Sequence, residues 1–254
     1  MTFPIAGSYD VPRSFSLPVT GGDEEGKGRN LEILEKHYPF QCDELSFGYI
    51  DMEPHLDADT MYIHHQQVYQ RECETLNALL DDWEKLQSFT LLDLIQKDLQ
   101  VPTIQEQWIK HSAGGVFSHS AYFAGMGIPG QRLPDGPLGQ VIQATYGSLE
   151  NFMNLFTQAC QSVKGVGWVW LVADPEGGVH MVMTKDNQVP RLELVRPLLV
   201  NDLWEHSYFL KYGVDVVQYC KNWFQLVDWA GAERRYREYL IHGTELPHQG
   251  SSRE

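Results

Sequence analysis

Residues 165–184 read GVGWVWLVADPEGGVHMVMT. Gly165 to Ala173 is rich in Trp, Val and Leu, Asp174 to Gly178 is a run of turn formers, and Val179 to Thr184 is apolar and partly β-branched. Two such runs around a tight turn are the signature of a β-hairpin. A third strand is expected at Leu192 to Val200, followed by a helical C-terminal region. Upstream the pattern is helical. Asp57 or Asp59 can cap a helix on which Met61, Val68, Leu76 and Leu80 recur at helical spacing. A second helix is expected from about Ser112 through Phe117 to Tyr122, despite the pair Gly114-Gly115. The turn-rich stretch 127–137 (GIPGQRLPDGP) leads into amphipathic segments at Leu138–Tyr146 and Leu149–Val163. Helices, then a small antiparallel sheet, then helices imply an α+β fold, with an all-helical N-terminal half joined to an α+β C-terminal half. The expected organisation is an N-terminal extension at 1–43, with at most a short helix at Leu31–His37. A helical hairpin domain follows at 44–128, an α+β domain at 129–241 and a tail at 242–254.

The chain has 254 residues, of which 43% are hydrophobic, so it can bury a substantial core and is not a disordered or collagen-like chain. Nineteen basic against 34 acidic residues give a formal charge of −15. Such a chain repels phosphate backbones, which argues against nucleic-acid or anionic-membrane partners. No stretch approaches the ~20 apolar residues of a membrane span. Cys42, Cys73, Cys160 and Cys220 are far apart with no CxxC pair, and read as inert thiols of a reducing compartment. With no basic start followed by an apolar core, the N-terminus reads as that of a cytoplasmic protein.

The chemistry-bearing residues are few. Asp202 and His206 lie four apart in NDLWEH, His64 lies in MYIHHQQVYQ and His119 in GGVFSHSAYF. Imidazoles with a carboxylate suit a first-row metal such as manganese or iron. Spacing by itself is a modest signal, because DxxxH arises by chance and most of the ten histidines must be structural.

The strings LSFGYIDMEPHLDADTMYIHH, GGVFSHS, GVGWVWLV, DNQVP and LLVNDLWEHSYFLKY, in this order and at these separations, closely resemble the iron/manganese superoxide dismutase family. The resemblance spans about residues 44–240. It implies a helical hairpin packed on an α+β domain and one manganese (or iron) ion per chain, with His64, His119, Asp202 and His206 as ligands. It further implies superoxide as substrate. Gln188 matches the glutamine that bonds the metal-bound solvent in manganese-type members, and Gly115 is also the manganese-type residue. Trp168, Trp204 and Tyr122 match the aromatic wall around the metal. Glu205 matches the glutamate that bonds the partner subunit's ligand histidine, which implies a homodimer through the Glu205/His206 region. His55 matches the family's EPH motif and reads as structural. His65 points about 100° away from His64 and is not expected to share its metal. The other histidines read as surface or packing residues.

Four features depart from the family. Glu72 stands where the tyrosine of HxxxHxxxY guards the substrate funnel and helps relay protons. On an ideal helix it lies about 12 Å along the axis from His64 and roughly 80° around it. Val68 replaces the histidine that bonds across the dimer to a tyrosine, and that tyrosine is here Phe209. Loss of both partners together avoids stranding a buried polar group. The arginine that usually follows LKY is missing. An ionised Glu72 would repel superoxide, a protonated one could donate to it, and a carboxylate could also occupy the open coordination position. Two function readings follow: a dismutase with an altered proton relay, or a catalytically impaired member kept as a scaffold or as a subunit of a larger assembly.

Overall fold

The computed structural model describes residues 29–242. The N-terminal half is built from α1 (Arg29–Glu35), α2 (Ala58–Tyr62), a π-helical turn (Ile63–Tyr69), α3 (Gln70–Asp81), α4 (Leu91–Gln96) and α5 (Thr103–Ala124). Asp57 starts α2 as expected: the Thr60 amide donates to its Oδ1 at 2.7 Å. α2, the π turn and α3 run on as one continuous rod antiparallel in sequence order to α5, the hairpin of the sequence reading. α5 starts nine residues earlier than expected, because polar Gln105, Glu106, Gln107 and Lys110 dilute the apolar periodicity of its first turns. From Ser112 to Phe123 every residue is buried.

The C-terminal half contains α6 (Pro137–Tyr146), α7 (Leu149–Ser162), β1 (Gly167–Ala173), β2 (Val179–Lys185), β3 (Arg196–Asp202), α8 (Phe209–Tyr212), α9 (Val216–Trp223) and α10 (Trp229–His242). The sheet is antiparallel with order β2-β1-β3. β1, in the middle, is buried at every position, which explains its continuous apolar reading. Side chains alternate across the sheet, so Trp168 and Trp170 share one face. That face meets α5: the Trp170 ring stacks on Phe117 at 6.0 Å, and Trp168 lies edge-on to His119 at 5.1 Å. β3 begins and ends later than the expected Leu192–Val200, which brings Asp202 onto its last position, in register with Trp168.

Part of the expected extension packs on the helical half. Ile33, Leu34 and Phe40 are buried in the common core. Asp43 ties this segment to α5 beside the site: Ser120 Oγ and Tyr69 OH donate to its Oδ2 at 2.6 and 2.9 Å, and Lys36 pairs with its Oδ1 at 2.6 Å. The remainder of the expected extension and most of the expected tail lie outside the described residues. No described helix is long and apolar enough to cross a membrane.

Candidate metal centre

Four side chains from both halves converge between α5 and the sheet. His64 sits in the π-helical turn, His119 on α5, Asp202 at the end of β3 and His206 in the turn that follows. One ligand atom from each lies within 4.8 Å of the others. The Asp202 carboxylate is oriented by the chain: its Oδ1 accepts the Trp204 amide at 2.7 Å, which leaves Oδ2 to face the imidazoles. The Nε2 atoms of His64, His206 and His119 are 3.0, 3.2 and 3.9 Å from Oδ2. Tyr219 OH reaches the Asn201 side chain at 2.8 Å and the Asp202 carbonyl at 2.9 Å, fixing the end of the strand beneath the carboxylate.

The residues fit a cation. The Nε2 atoms of His64 and His119 are buried and lack hydrogen-bond partners, although both point toward one carboxylate oxygen. Burial without partners is costly for polar atoms, and a shared metal ion removes that cost. His119 Nδ1 faces the Gly115 carbonyl at 2.8 Å; donation there puts the lone pair on Nε2, toward the site. Burial pushes the imidazoles of His64 and His119 down to about 4 and about 3, so both are neutral ligands at neutral pH. Burial by itself would raise the Asp202 carboxyl, but His206 and His64 hold it well below the usual carboxylate range. Three imidazoles and one carboxylate suit manganese or iron.

These shifts predict a pH dependence for the metal-free protein. Each buried histidine has its folded pKa depressed below the unfolded value, so the unfolded chain binds more protons as pH falls from about 6.5. Their stabilising contribution is present above that pH and is lost on descent through about 4 to about 3. The urea midpoint of metal-free protein should fall across this window, and a double His64→Gln, His119→Gln chain should show a flatter profile.

Aromatic side chains pack around the ligand histidines. Tyr122 packs against His64 at 4.9 Å with its OH 3.4 Å from Tyr219 OH, Trp168 meets His119, and Trp204 stacks on His206 at 5.9 Å. Tyr69, which sequence reasoning passed over, stacks on His119 at 5.6 Å and 10°. His65 is turned away, with its ring nitrogens 3.0 Å from Tyr49 OH and 2.8 Å from the Asp43 carbonyl. His55 Nδ1 meets Asn222 at 2.9 Å and its carbonyl accepts from Tyr212 OH, so it joins the hairpin to α8 and α9. Cys73, Cys160 and Cys220 are buried, and burial raises the thiols of Cys73 and Cys160, which removes the thiolate that oxidation requires.

One expected residue is displaced. Gln188 is exposed, and its neighbour Asn187 is buried against the pocket instead. β2 ends at Lys185, and Asp186 then turns with φ +51°, which directs Asn187 inward and Gln188 outward. A Cβ at Gly114 would lie 2.0 Å from the Asn187 carbonyl oxygen, and one at Gly115 would lie 2.6 Å from Asn187 Nδ2 and 2.9 Å from the Glu72 carboxylate. The two glycines therefore let this turn and Glu72 rest directly on α5.

Glu72 is half-buried, with its Oε1 3.4 Å from Asn187 Nδ2. Burial raises its carboxyl; the Asn187 hydrogen bond and His206 oppose that rise. The wider π turn between His64 and Glu72 advances the chain fewer degrees per residue than an α-helix, which alters the ideal 80° offset and carries Glu72 over Gly115. Val68 is half-buried, while Glu205 and Phe209 are exposed on the single chain.

Residues 39–127 match the alpha-hairpin domain of iron/manganese superoxide dismutases, and residues 134–235 match the C-terminal domain. Superoxide dismutase [Mn] 1 of Leptolyngbya boryana is 32% identical over 79% of this chain and 82% of its own length. Superoxide dismutase [Mn] of Thermus aquaticus is 32% identical over 79% of this chain and 98% of its own length. A probable superoxide dismutase [Fe] of Bacillus subtilis is 32% identical over 91% of this chain and 79% of its own length. With both domains matched and four ligand side chains converging on one site, the chain belongs to the iron/manganese superoxide dismutase family.

Proposed function

We propose that the chain converts superoxide to hydrogen peroxide and dioxygen at one manganese or iron ion held by His64, His119, Asp202 and His206. The observation that carries this reading is the set of buried, unpartnered ring nitrogens converging on Asp202 Oδ2. A manganese or iron ion bound there supplies one-electron chemistry between its +3 and +2 states. Two superoxide ions and two protons give one peroxide and one dioxygen, so the chain must deliver protons. Glu72 is the side chain assigned to that task, as the counterpart of the gateway tyrosine. Burial keeps its carboxyl protonated to higher pH than a surface carboxylate, and in that form it neither repels the anionic substrate nor lacks a proton to give. Trp168, Trp204 and Tyr122 exclude bulk water from the ligands. Asn187 takes the place expected of Gln188 in bonding solvent at the site. Decay of superoxide followed by stopped flow tests the reading. First-order dependence on manganese- or iron-loaded protein supports it, and loaded protein no faster than buffer contradicts it. That second result would favour the scaffold reading, in which the fold and its metal site persist without turnover.

The working form proposed is a homodimer through the face bearing Glu205, His206 and Phe209. Phe209 and Leu210 are adjacent and more than half exposed on the single chain, beside Val214, which is exposed as well; contiguous exposed apolar side chains mark interaction surfaces. Phe209→Glu should raise the dimer dissociation constant about a hundredfold, as expected for a central apolar anchor. Sedimentation across a concentration series reads this directly, and an unchanged dimer would refute the assigned face.

A further inference from the structure

Asn187 makes two contacts through its amide nitrogen. Its Nδ2 is 3.2 Å from His111 Nε2 and 3.4 Å from Glu72 Oε1, while its Oδ1 is buried without a partner. An amide nitrogen carries two hydrogens and accepts none. Both contacts are donations, one to the Glu72 carboxyl group and one to a bare ring lone pair. With the amide so turned, His111 is the acceptor, through Nε2. It stands on α5 one turn before Gly115, on the exposed side, outside the four ligands. The absence of a side chain at Gly115 lets the Asn187 amide and the Glu72 carboxylate meet over the helix.

We propose that His111 is a positioning residue of this pocket, holding the Asn187 amide nitrogen toward Glu72 and so fixing the carboxyl group beside the metal ligands. An ordinary surface histidine bonded to asparagine would add local stability only, so the test separates orientation from stability. The catalytic arm of that test rests on the proposed function; the spectroscopic arm does not.

The full chain is compared with His111→Gln, which can present an oxygen acceptor, His111→Ala, which presents none, and His111→Arg, which presents only donors. In metal-free protein, long-range proton–nitrogen spectra should show His111 protonated on Nδ1 and bare on Nε2. The Asn187 side-chain amide protons, assigned against Asn187→Ala, should keep their shifts in His111→Gln and move in His111→Ala and His111→Arg. Manganese-loaded His111→Ala and His111→Arg should turn over superoxide about three- to tenfold more slowly, and His111→Gln within about twofold of the parent. Unchanged Asn187 amide signals in folded His111→Ala and His111→Arg would overturn the inference, as would moved signals with unchanged turnover. If the parent chain itself has no turnover, the proposed function fails and the amide signals decide the His111 inference by themselves.

Discussion

Asp202→Ala should purify with less than about a tenth of the parent's bound metal, and superoxide turnover should disappear with it. Asp202 is the only anion in the ligand set, and its Oδ2 is the atom on which the three imidazoles converge. Changes one layer farther out typically cost ten- to a hundredfold in affinity or activity, so removal of a ligand should cost more than about a hundredfold. The substitution also strips the Trp204 amide of its 2.7 Å acceptor, which loosens the turn that presents His206. Asp202→Asn separates these effects, because its side-chain oxygen can still accept from Trp204 while the charge is gone. Asparagine should preserve the fold, read by circular dichroism, and still bind manganese poorly by elemental analysis. Full metal content in both variants would remove Asp202 from the ligand set.

Glu72→Gln should slow turnover about a hundredfold while leaving metal content unchanged, the magnitude expected when a positioned proton donor is lost. Glutamine keeps the shape and can still accept the Asn187 hydrogen bond, but it has no acidic proton. The pH profile makes the assignment specific. A carboxylic acid donor works while protonated, so the parent's rate should fall as pH rises through the Glu72 pKa, which burial moves upward from its ordinary value. Glu72→Gln should lack that limb. Glu72→Tyr supplies a second comparison: a marked loss supports the carboxyl donor, whereas a gain would mean that Glu72 obstructs the substrate. Equal rates and equal profiles in parent and Glu72→Gln would take the proton relay away from this residue.

Much of the fold was legible because its signals are local. The hairpin of β1 and β2 follows from two apolar runs around Asp174 to Gly178, and Asp174 Oδ1 accepts the Gly178 amide at 2.7 Å to close that turn. Asp57 announced the start of α2 by the same kind of short-range bond. The four ligands were legible only through the family strings, since 138 positions of sequence separate His64 from Asp202 and periodicity does not connect them. What could not be read depends on contacts between distant segments. The Asp43 carboxylate, assigned to an extension, joins Lys36, Tyr69 and Ser120, and nothing near position 43 signals Ser120. The exchange of Gln188 for Asn187 depends on one turn residue, Asp186, at positive φ. The π-helical turn that carries His64 has no reliable mark in composition, yet it alters the rotational phase that an ideal α-helix gives Glu72.

The most direct measurement is superoxide turnover against bound metal per chain, with one protein preparation reconstituted to graded occupancy by manganese and, separately, by iron. The account predicts saturation at one ion per chain, with turnover rising in proportion to occupancy for at least one of the two metals. Full occupancy by both metals with no turnover, or failure of the chain to retain either metal, would contradict it.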